Sequence, residues 1–174
     1  MRRLLDAAGI RYALIGGHAL AARGYPRFTI DIDLLTPDVA VLDAALWRPL
    51  EDAGAEVERR RGDSSDPLAG VVHVLLDDDT DVDIVVARER WQADVVARAE
   101  MLTVAPGVDL PVPDAADLIL LKLAAGGALD LRDAAALLAT DRERLVSAVE
   151  SRLAAAAVGL DATACWRQVL ALPA

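Results

Sequence analysis

The sequence contains little that could bind a soft metal or form a covalent cross-link. Its 174 residues include one cysteine, Cys165, and two histidines, His18 and His73. A single cysteine excludes an internal disulfide bond, and these three residues are too few for a zinc site of the usual Cys/His type. We therefore expect oxygen atoms to hold any metal ion.

Long apolar runs are also missing. No stretch reaches the roughly 18 uninterrupted apolar residues of a transmembrane helix, and even Leu118–Ala125 is split by Lys122. Asp6 and Arg11 interrupt the apolar N-terminal stretch before it could act as the core of a signal peptide. These absences predict a soluble, cytoplasmic protein that does not associate with a membrane.

Positive charge is scarce as well. The formal net charge of −10 argues against a broad basic surface for nucleic acid, because non-specific affinity depends on Lys and Arg replacing counterions at phosphates. A local RNA contact remains compatible with this charge. The one sharp basic run, Arg59–Arg61, is more typical of a solvated edge, and the run Asp77–Asp79 predicts an exposed acidic turn.

The first part of the chain predicts a mixed α/β unit. Tyr12–Ile15 is an apolar run that ends in Gly16 and Gly17, which indicates a buried strand, a tight turn and then a short helix over roughly His18–Arg23. A strand is also predicted over Phe28–Leu35, because apolar and polar residues alternate there. The apolar face of that strand would carry Ile30, Ile32 and Leu34, and the polar face would carry Thr29, Asp31 and Asp33.

Further elements follow from turn and capping residues. Thr36 with Pro37 predicts a helix start, and Ala55–Arg61 predicts an edge strand. The β-branched runs Val71–Leu76 and Val82–Val86 predict a hairpin. Beyond Pro113 the pattern becomes helical. Helix starts are expected at Asp114 with Asp117 as a capping pair, at Asp130, at Thr140 with Glu143, and at Asp161.

The acidic strand has a pattern suited to metal-dependent phosphoryl chemistry. Carboxylates at alternate strand positions share a face, so Asp31 and Asp33 could together hold two ions about 4 Å apart. A third carboxylate from a neighbouring strand would complete the site, and Asp83 is favoured over Asp81. Glycines between a strand and a helix let backbone N–H groups approach a phosphate at the positive end of the helix dipole.

The stretch from Tyr12 to Leu35, with Gly16, Gly17, Asp31 and Asp33, resembles the polymerase-beta-like nucleotidyltransferase superfamily. It looks most like the bacterial branch of abortive-infection and type IV toxin-antitoxin nucleotidyltransferases. Two further phrases resemble motifs of that branch. These are Arg27 with Thr29 before the carboxylates, and Asp117 to Lys122 followed by Asp130 and Asp133. One departure is Gly17, where many members have serine.

The resemblance implies a mixed nucleotidyltransferase sheet flanked by helices. The change of pattern beyond Pro113 predicts a core over 1–112 and a helical C-terminal region over 113–174, packed on the core as one compact unit. The resemblance also implies two Mg²⁺ ions on Asp31, Asp33 and Asp83, and transfer of a nucleoside monophosphate from a triphosphate to a hydroxyl of RNA or protein. Gly16, Gly17, Arg27, Thr29 and Lys122 would bind the nucleotide. An antitoxin partner is expected if the protein is a toxin.

Simpler interpretations exist for several of these residues. Lys122 could lie along its helix with its ammonium group in water, and Asp130 and Asp133 could serve as helix caps. Arg27 could be a surface charge, and His18 a helix-start residue. For the whole chain, the alternatives are an aminoglycoside-type antibiotic nucleotidyltransferase, which the acidic surface would suit, and a catalytically idle binding module.

Overall fold

A computed structural model of the chain describes residues 1–156, 158 and 160–172. Ala157, Gly159, Pro173 and Ala174, which belong to the predicted helical region, lie outside the described residues. None of the described helices combines the length and the apolar character that crossing a membrane requires. In chain order the elements are α1 (Arg2–Ala7), β1 (Ala13–Ile15), α2 (Gly16–Ala22), β2 (Ile32–Thr36), a 3₁₀ helix (Val39–Leu42), α3 (Ala44–Glu51), β3 (Glu56–Arg61), β4 (Leu68–Leu75), β5 (Asp81–Ala87), α4 (Arg90–Arg98), β6 (Glu100–Ala105), β7 (Val108–Val112), α5 (Ala115–Ala125), α6 (Ala128–Thr140), α7 (Arg142–Ala156) and α8 (Leu160–Ala171).

The main sheet is mixed, as the sequence predicted. Its five strands lie in the order β1-β2-β5-β4-β3, and a separate two-stranded sheet is formed by β6 and β7. The pair β2 and β5 is parallel, whereas the other pairs are antiparallel. The predicted edge strand and the predicted hairpin are confirmed as β3 and as β4 with β5.

One face of the sheet packs against α3 and the 3₁₀ helix. Val72, Val74 and Ile84 are fully buried on this face, in the same cluster as Trp47. The Trp47 indole N–H donates to the Val41 carbonyl oxygen at 2.6 Å, which satisfies the only polar atom of that side chain. A Cβ atom at Gly70 would lie 2.9 Å from a Leu42 methyl group, so a glycine there permits the close approach.

The other face is divided between apolar and polar residues. Leu35 and Val85 pack against Val95 and Val96 of α4, so α4 covers one end of this face. At the other end, polar side chains of β2, β4 and β5 stand on the same face and are partly exposed. The fold thereby leaves a polar area open beside a small apolar cluster.

Helices α5 to α8 share the main hydrophobic core with the sheet. Ile119, Leu137 and Trp166 from these helices belong to the same buried cluster as Val72 of the sheet. The predicted cap of α5 is confirmed, because the Asp114 carboxylate accepts a hydrogen bond from the Asp117 N–H at 2.9 Å. The helical character predicted beyond Pro113 is likewise confirmed for the described residues.

The predicted strand over Phe28–Leu35 is wrong in its first half, because β2 begins only at Ile32. Phe28 is 86% exposed and Ile30 is 68% exposed, so Ile30 does not continue the buried face. The reason is that β1 ends at Ile15, opposite Asp33, and the chain turns there into α2. Residues before Ile32 therefore have no partner strand on the β1 side.

Two predicted helix starts are also wrong. Thr36 ends β2, and its hydroxyl donates to the Arg11 carbonyl oxygen at 2.6 Å instead of capping a helix. The cap of α3 is Asp43, whose carboxylate accepts from the Ala45 N–H at 2.9 Å. Similarly, Thr140 ends α6, and the Asp141 carboxylate accepts from the Arg144 N–H at the start of α7.

Candidate active site

A row of paired residues crosses the main sheet and brings the predicted carboxylates together. Reading from β3 to β1, Glu58 pairs with His73, His73 with Asp83, Asp83 with Asp33, and Asp33 with Ile15. Paired residues on neighbouring strands point to the same face of a sheet. Asp33 and Asp83 are therefore adjacent on one face, and the pairing favours Asp83 over Asp81 as the neighbour of Asp33.

The start of α2 lies directly against Asp33. Gly16 has a φ angle of +64°, and a Cβ atom built on it would lie 1.8 Å from Asp33 Oδ2. Only glycine fits both the backbone conformation and this contact. The turn predicted from Gly16 and Gly17 thus brings a helix N-terminus to the acidic strand, with the helix beginning two residues earlier than predicted.

Thr29 packs directly against Gly17. A Cβ atom on Gly17 would lie 2.7 Å from Thr29 Cβ and 3.1 Å from its hydroxyl oxygen. The space that a serine at position 17 would need is therefore filled by Thr29. A serine at position 17 would require Thr29 to move, and the Thr29 hydroxyl lies beside the turn.

Two cations and a buried carboxylate form a second part of the site. Lys122 Nζ lies 3.1 Å from Asp133 Oδ2 and 2.7 Å from Asp130 Oδ1, and Arg27 Nε lies 3.3 Å from Asp133 Oδ2. Asp133 is fully buried, and among the described residues neither of its oxygens has a hydrogen-bond partner. The cap interpretation is wrong for Asp133, and Lys122, with 16% of its side chain exposed, does not extend into water.

The charges of this region act on Asp33. Burial raises the pKa of Asp33, and the negative charges of Asp83 and Asp31 raise it further, whereas Lys122 and Arg27 act in the opposite direction. Asp31 lies outside β2 and is exposed. The prediction that it shares a strand face with Asp33 is therefore wrong. A divalent cation would relieve the repulsion among these carboxylates, and their oxygens are ligands that Mg²⁺ accepts.

His73 is a member of the site that the sequence did not predict. Its Nδ1 lies 3.0 Å from Asp83 Oδ1 and 3.2 Å from Asp81 Oδ1. The hydrogen bond with Asp83 raises the pKa of His73, with burial acting against it. Among the described residues, the group of side chains that could share one metal ion is His73, Asp81 and Asp83, whose ligand atoms all lie within 4.8 Å of one another. This group includes a nitrogen atom of His73, whereas the sequence predicted a metal site made of oxygen atoms alone.

A groove of about 840 Å³ opens beside Asp83 and His73. It runs along the hairpin of β3 and β4, and its charged lining residues include Glu58, Arg60 and Asp66. Its volume is within the range of about 300 to 1,000 Å³ that is usual for small-molecule sites. The groove therefore offers space for a second molecule next to the paired carboxylates.

The chain shares its fold with known nucleotidyltransferases. No family model and no curated protein matches it. Among solved structures, the antibiotic-resistance factor ANT(2'')-Ia in solution aligns over 88% of this chain and 89% of its own, with 18% identity and a TM-score of 0.57. A crystal structure of ANT(2'')-Ia in complex with adenylyl-2''-tobramycin aligns over 88% and 92%, with 15% identity and a TM-score of 0.57. A proposed nucleotidyltransferase of Thermotoga maritima, TM1012, aligns over 72% and 81%, with 17% identity and a TM-score of 0.52.

Proposed function

We propose that this chain, which has the fold of nucleotidyltransferases, is a Mg²⁺-dependent nucleotidyltransferase. The observation that carries the proposal is the pairing of Asp33 with Asp83 on neighbouring parallel strands, with the glycine turn against Asp33. In the reaction, an acceptor hydroxyl oxygen bonds to the α-phosphorus of a nucleoside triphosphate. The bond from that phosphorus to the bridging oxygen breaks, and pyrophosphate leaves.

Asp31, Asp33 and Asp83 would hold two Mg²⁺ ions. Bound there, the ions would neutralise the triphosphate and lower the pKa of the acceptor hydroxyl. Asp33 is suited to this because burial raises its pKa, and the negative charges of Asp83 and Asp31 raise it further. A bound cation would relieve the repulsion among these carboxylates. Asp31 would reach the ions from the segment before β2, where it is more exposed than Asp33.

The remaining site residues would bind and orient the triphosphate. The backbone N–H groups of Gly16 and Gly17 start α2 and can donate to phosphate oxygens without interference from a Cβ atom. Lys122 and Arg27 carry positive charge close enough to Asp33 to lower its pKa. A triphosphate beside Asp33 would therefore meet two cations, and Thr29 could add a hydroxyl.

The groove along β3 and β4 would hold the acceptor. A small cationic molecule suits it, because Glu58, Asp66 and Asp83 supply carboxylates and the protein carries a net charge of −10. The alignment with ANT(2'')-Ia, of which one structure contains adenylyl-2''-tobramycin, supports an aminoglycoside-like acceptor. On this ground we favour a small acceptor that carries several amino groups over a macromolecule.

A second candidate is transfer to RNA or protein by a toxin with an antitoxin partner. Arg60 and Arg61 lie at the groove, and Arg60 has 83% of its side chain exposed, so both could contact an RNA backbone. In either version we propose that the protein acts in the cytoplasm, where nucleoside triphosphates and Mg²⁺ are available.

Calorimetric titration of each nucleoside triphosphate in the presence of Mg²⁺ tests the proposal. We expect Mg²⁺-dependent binding by the native protein and none by Asp33→Asn. The matched control is Asp79→Asn, which removes one carboxylate from an exposed turn and should bind normally. Asp79 has a φ angle of +63°, a conformation that asparagine adopts readily.

The acceptor is then sought with the labelled nucleotide that binds. Label on an aminoglycoside would support the small-molecule version, and label on RNA or protein would support the toxin version. If no triphosphate binds to the native protein at any Mg²⁺ concentration, the nucleotidyltransferase proposal is wrong and the fold serves as a binding module.

A further inference from the structure

The contact of His73 with two aspartates leaves one oxygen without a partner. His73 Nδ1 carries at most one proton, and its hydrogen-bond partner is Asp83 Oδ1 at 3.0 Å. Asp81 Oδ1 also lies 3.2 Å from Nδ1, but it is buried and has no hydrogen-bond partner among the described residues. Burying a carboxylate oxygen without a partner is unfavourable. A cation at this position would satisfy it.

The spacing of these atoms matches a metal site. Two atoms bound about 2.1 Å from one ion at a right angle to each other are about 3.0 Å apart. The separations from Nδ1 to the two aspartate oxygens, 3.0 and 3.2 Å, are close to this value. The strand pairing fixes the arrangement, because His73 pairs directly with Asp83 and Asp81 stands two residues before Asp83 on the same face.

We propose that His73, Asp81 and Asp83 bind a divalent transition-metal ion of the Mn²⁺ type at the end of the groove. Imidazole nitrogen favours such ions over Mg²⁺ and Ca²⁺, which prefer oxygen ligands. This inference deepens the proposed function and rests on it in one respect, since Asp83 would be shared with the Mg²⁺ pair. The ion would lie on the β4 side of Asp83, where an acceptor hydroxyl in the groove can reach it.

Electron spin echo spectroscopy of bound Mn²⁺ provides a test that does not depend on activity. A ligating imidazole gives a nitrogen modulation that carboxylates and water do not. The chain has only two histidines, so the signal can be assigned by substitution. We expect the modulation in the native protein and in His18→Gln, and its loss in His73→Gln. The affinity for Mn²⁺ should also fall about tenfold or more in His73→Gln, with little change for Mg²⁺.

The outcomes separate this inference from the proposed function. Bound Mn²⁺ without nitrogen modulation in the native protein would overturn the inference, whatever the variants do, and would leave nucleotide binding intact. Modulation that persists in His73→Gln and disappears in His18→Gln would overturn it as well. Conversely, a His73-dependent signal in a protein that binds no triphosphate would support this metal site and contradict the nucleotidyltransferase proposal.

Discussion

At the scale of single residues, Gly16 is the position where adding a Cβ atom would disturb both the backbone and the proposed metal site. Gly16→Ala would place a Cβ atom 1.8 Å from Asp33 Oδ2 and keep a left-handed backbone conformation. We expect the carboxylate to be displaced and Mg²⁺-dependent triphosphate binding to be lost. The backbone strain itself should cost about 1 to 2 kcal/mol of stability. Calorimetry and thermal denaturation measure the two effects.

Gly9 supplies the control for this substitution. Its φ angle of +67° is nearly that of Gly16, but no atom lies within 4 Å of the Cβ position. Gly9→Ala should therefore lose a similar amount of stability and keep full triphosphate binding. Equal loss of binding in both variants would mean that strain, not the contact with Asp33, causes the effect.

Asp33 should lower the stability of the protein in the absence of metal. Its pKa is raised in the folded state, first by burial and then by Asp83 and Asp31, so the folded protein binds a proton there more tightly than the unfolded chain does. The stability of the native protein should therefore decrease as pH rises from the unfolded value through the folded pKa. Asp33→Asn removes this cost, and we expect it to be more stable than the native protein at neutral pH.

Denaturant titrations at several pH values check the sign. The difference between Asp33→Asn and the native protein should shrink as the pH falls below the ordinary aspartate range, and it should also shrink when Mg²⁺ is added at neutral pH, because the ion stabilises only the native protein. Asp79→Asn should not show the dependence on Mg²⁺. A destabilised Asp33→Asn at neutral pH would contradict the assignment of Asp33 as a strained metal ligand.

At the scale of elements, the buried Asp133 joins α6 to α5 and to the segment before β2. It lies within 3.3 Å of a nitrogen of Arg27 and 3.1 Å of Lys122 Nζ. Asp133→Asn would leave these cations without their shared carboxylate. We expect a loss of about 3 kcal/mol of stability and weaker triphosphate binding, because Lys122 and Arg27 lose their positions.

Asp130→Asn, which changes a more exposed partner of the same lysine, should cost about 1 kcal/mol or less. Denaturant unfolding of both variants measures this difference, and equal costs would contradict the role of burial.

Elements that depend on local patterns could be predicted from the sequence. β1, β3 and the hairpin of β4 and β5 follow from apolar alternation bounded by turn residues. The first half of the predicted Phe28–Leu35 strand could not be excluded, since its alternation continues although β1 does not extend past Asp33. No element was predicted between Arg88 and Val112. There α4 begins with a capping box of Glu89 and Gln92, and glutamate is not among the usual N-cap residues.

In the candidate site, likewise, the residues that follow from local patterns could be predicted, and those that depend on contacts between distant segments could not. Asp33 and the glycine turn could be recognised because strand, turn and helix follow one another along the chain. His73 could not, because its position depends on the register between β4 and β5 across the acidic turn. A shift of one residue would have moved it to the other face. The signal in the sequence is the run Asp77–Asp79, because aspartate is among the residues that more often adopt the left-handed conformation that Asp79 has in this turn.

At the scale of the whole molecule, a network of charges connects α4 with the C-terminal helices α5 and α7. Asp117 on α5 is fully buried and accepts hydrogen bonds from Arg98 of α4 at 3.1 and 2.8 Å. Arg152 of α7 lies 3.2 Å from the same carboxylate and also pairs with Asp114. Three helices that are distant in sequence are thereby joined through two aspartates, which compensates for burying Asp117.

The pH dependence of stability should report this network. Burial by itself raises the pKa of Asp114, but the hydrogen bonds from Arg152 and from the Asp117 N–H outweigh it and lower the pKa to about 2. A depressed pKa contributes stability above the unfolded value of 3.8, and this contribution disappears as the pH falls toward about 2. Because 40% of the Asp114 side chain is exposed, we expect the contribution to be about 1 kcal/mol after solvent screening.

Asp114→Asn isolates that contribution, since asparagine caps a helix as well as aspartate does but does not pair with Arg152 as a charge. The variant should be less stable than the native protein at neutral pH, and the two should converge below about pH 3, where Asp114 begins to lose its charge. Asp43→Asn changes the cap of α3, for which the Ala45 N–H is the donor, and serves as the control for the change of cap residue. If the loss in Asp114→Asn persists undiminished in acid, then the cap and not the Arg152 pair stabilises this end of α5.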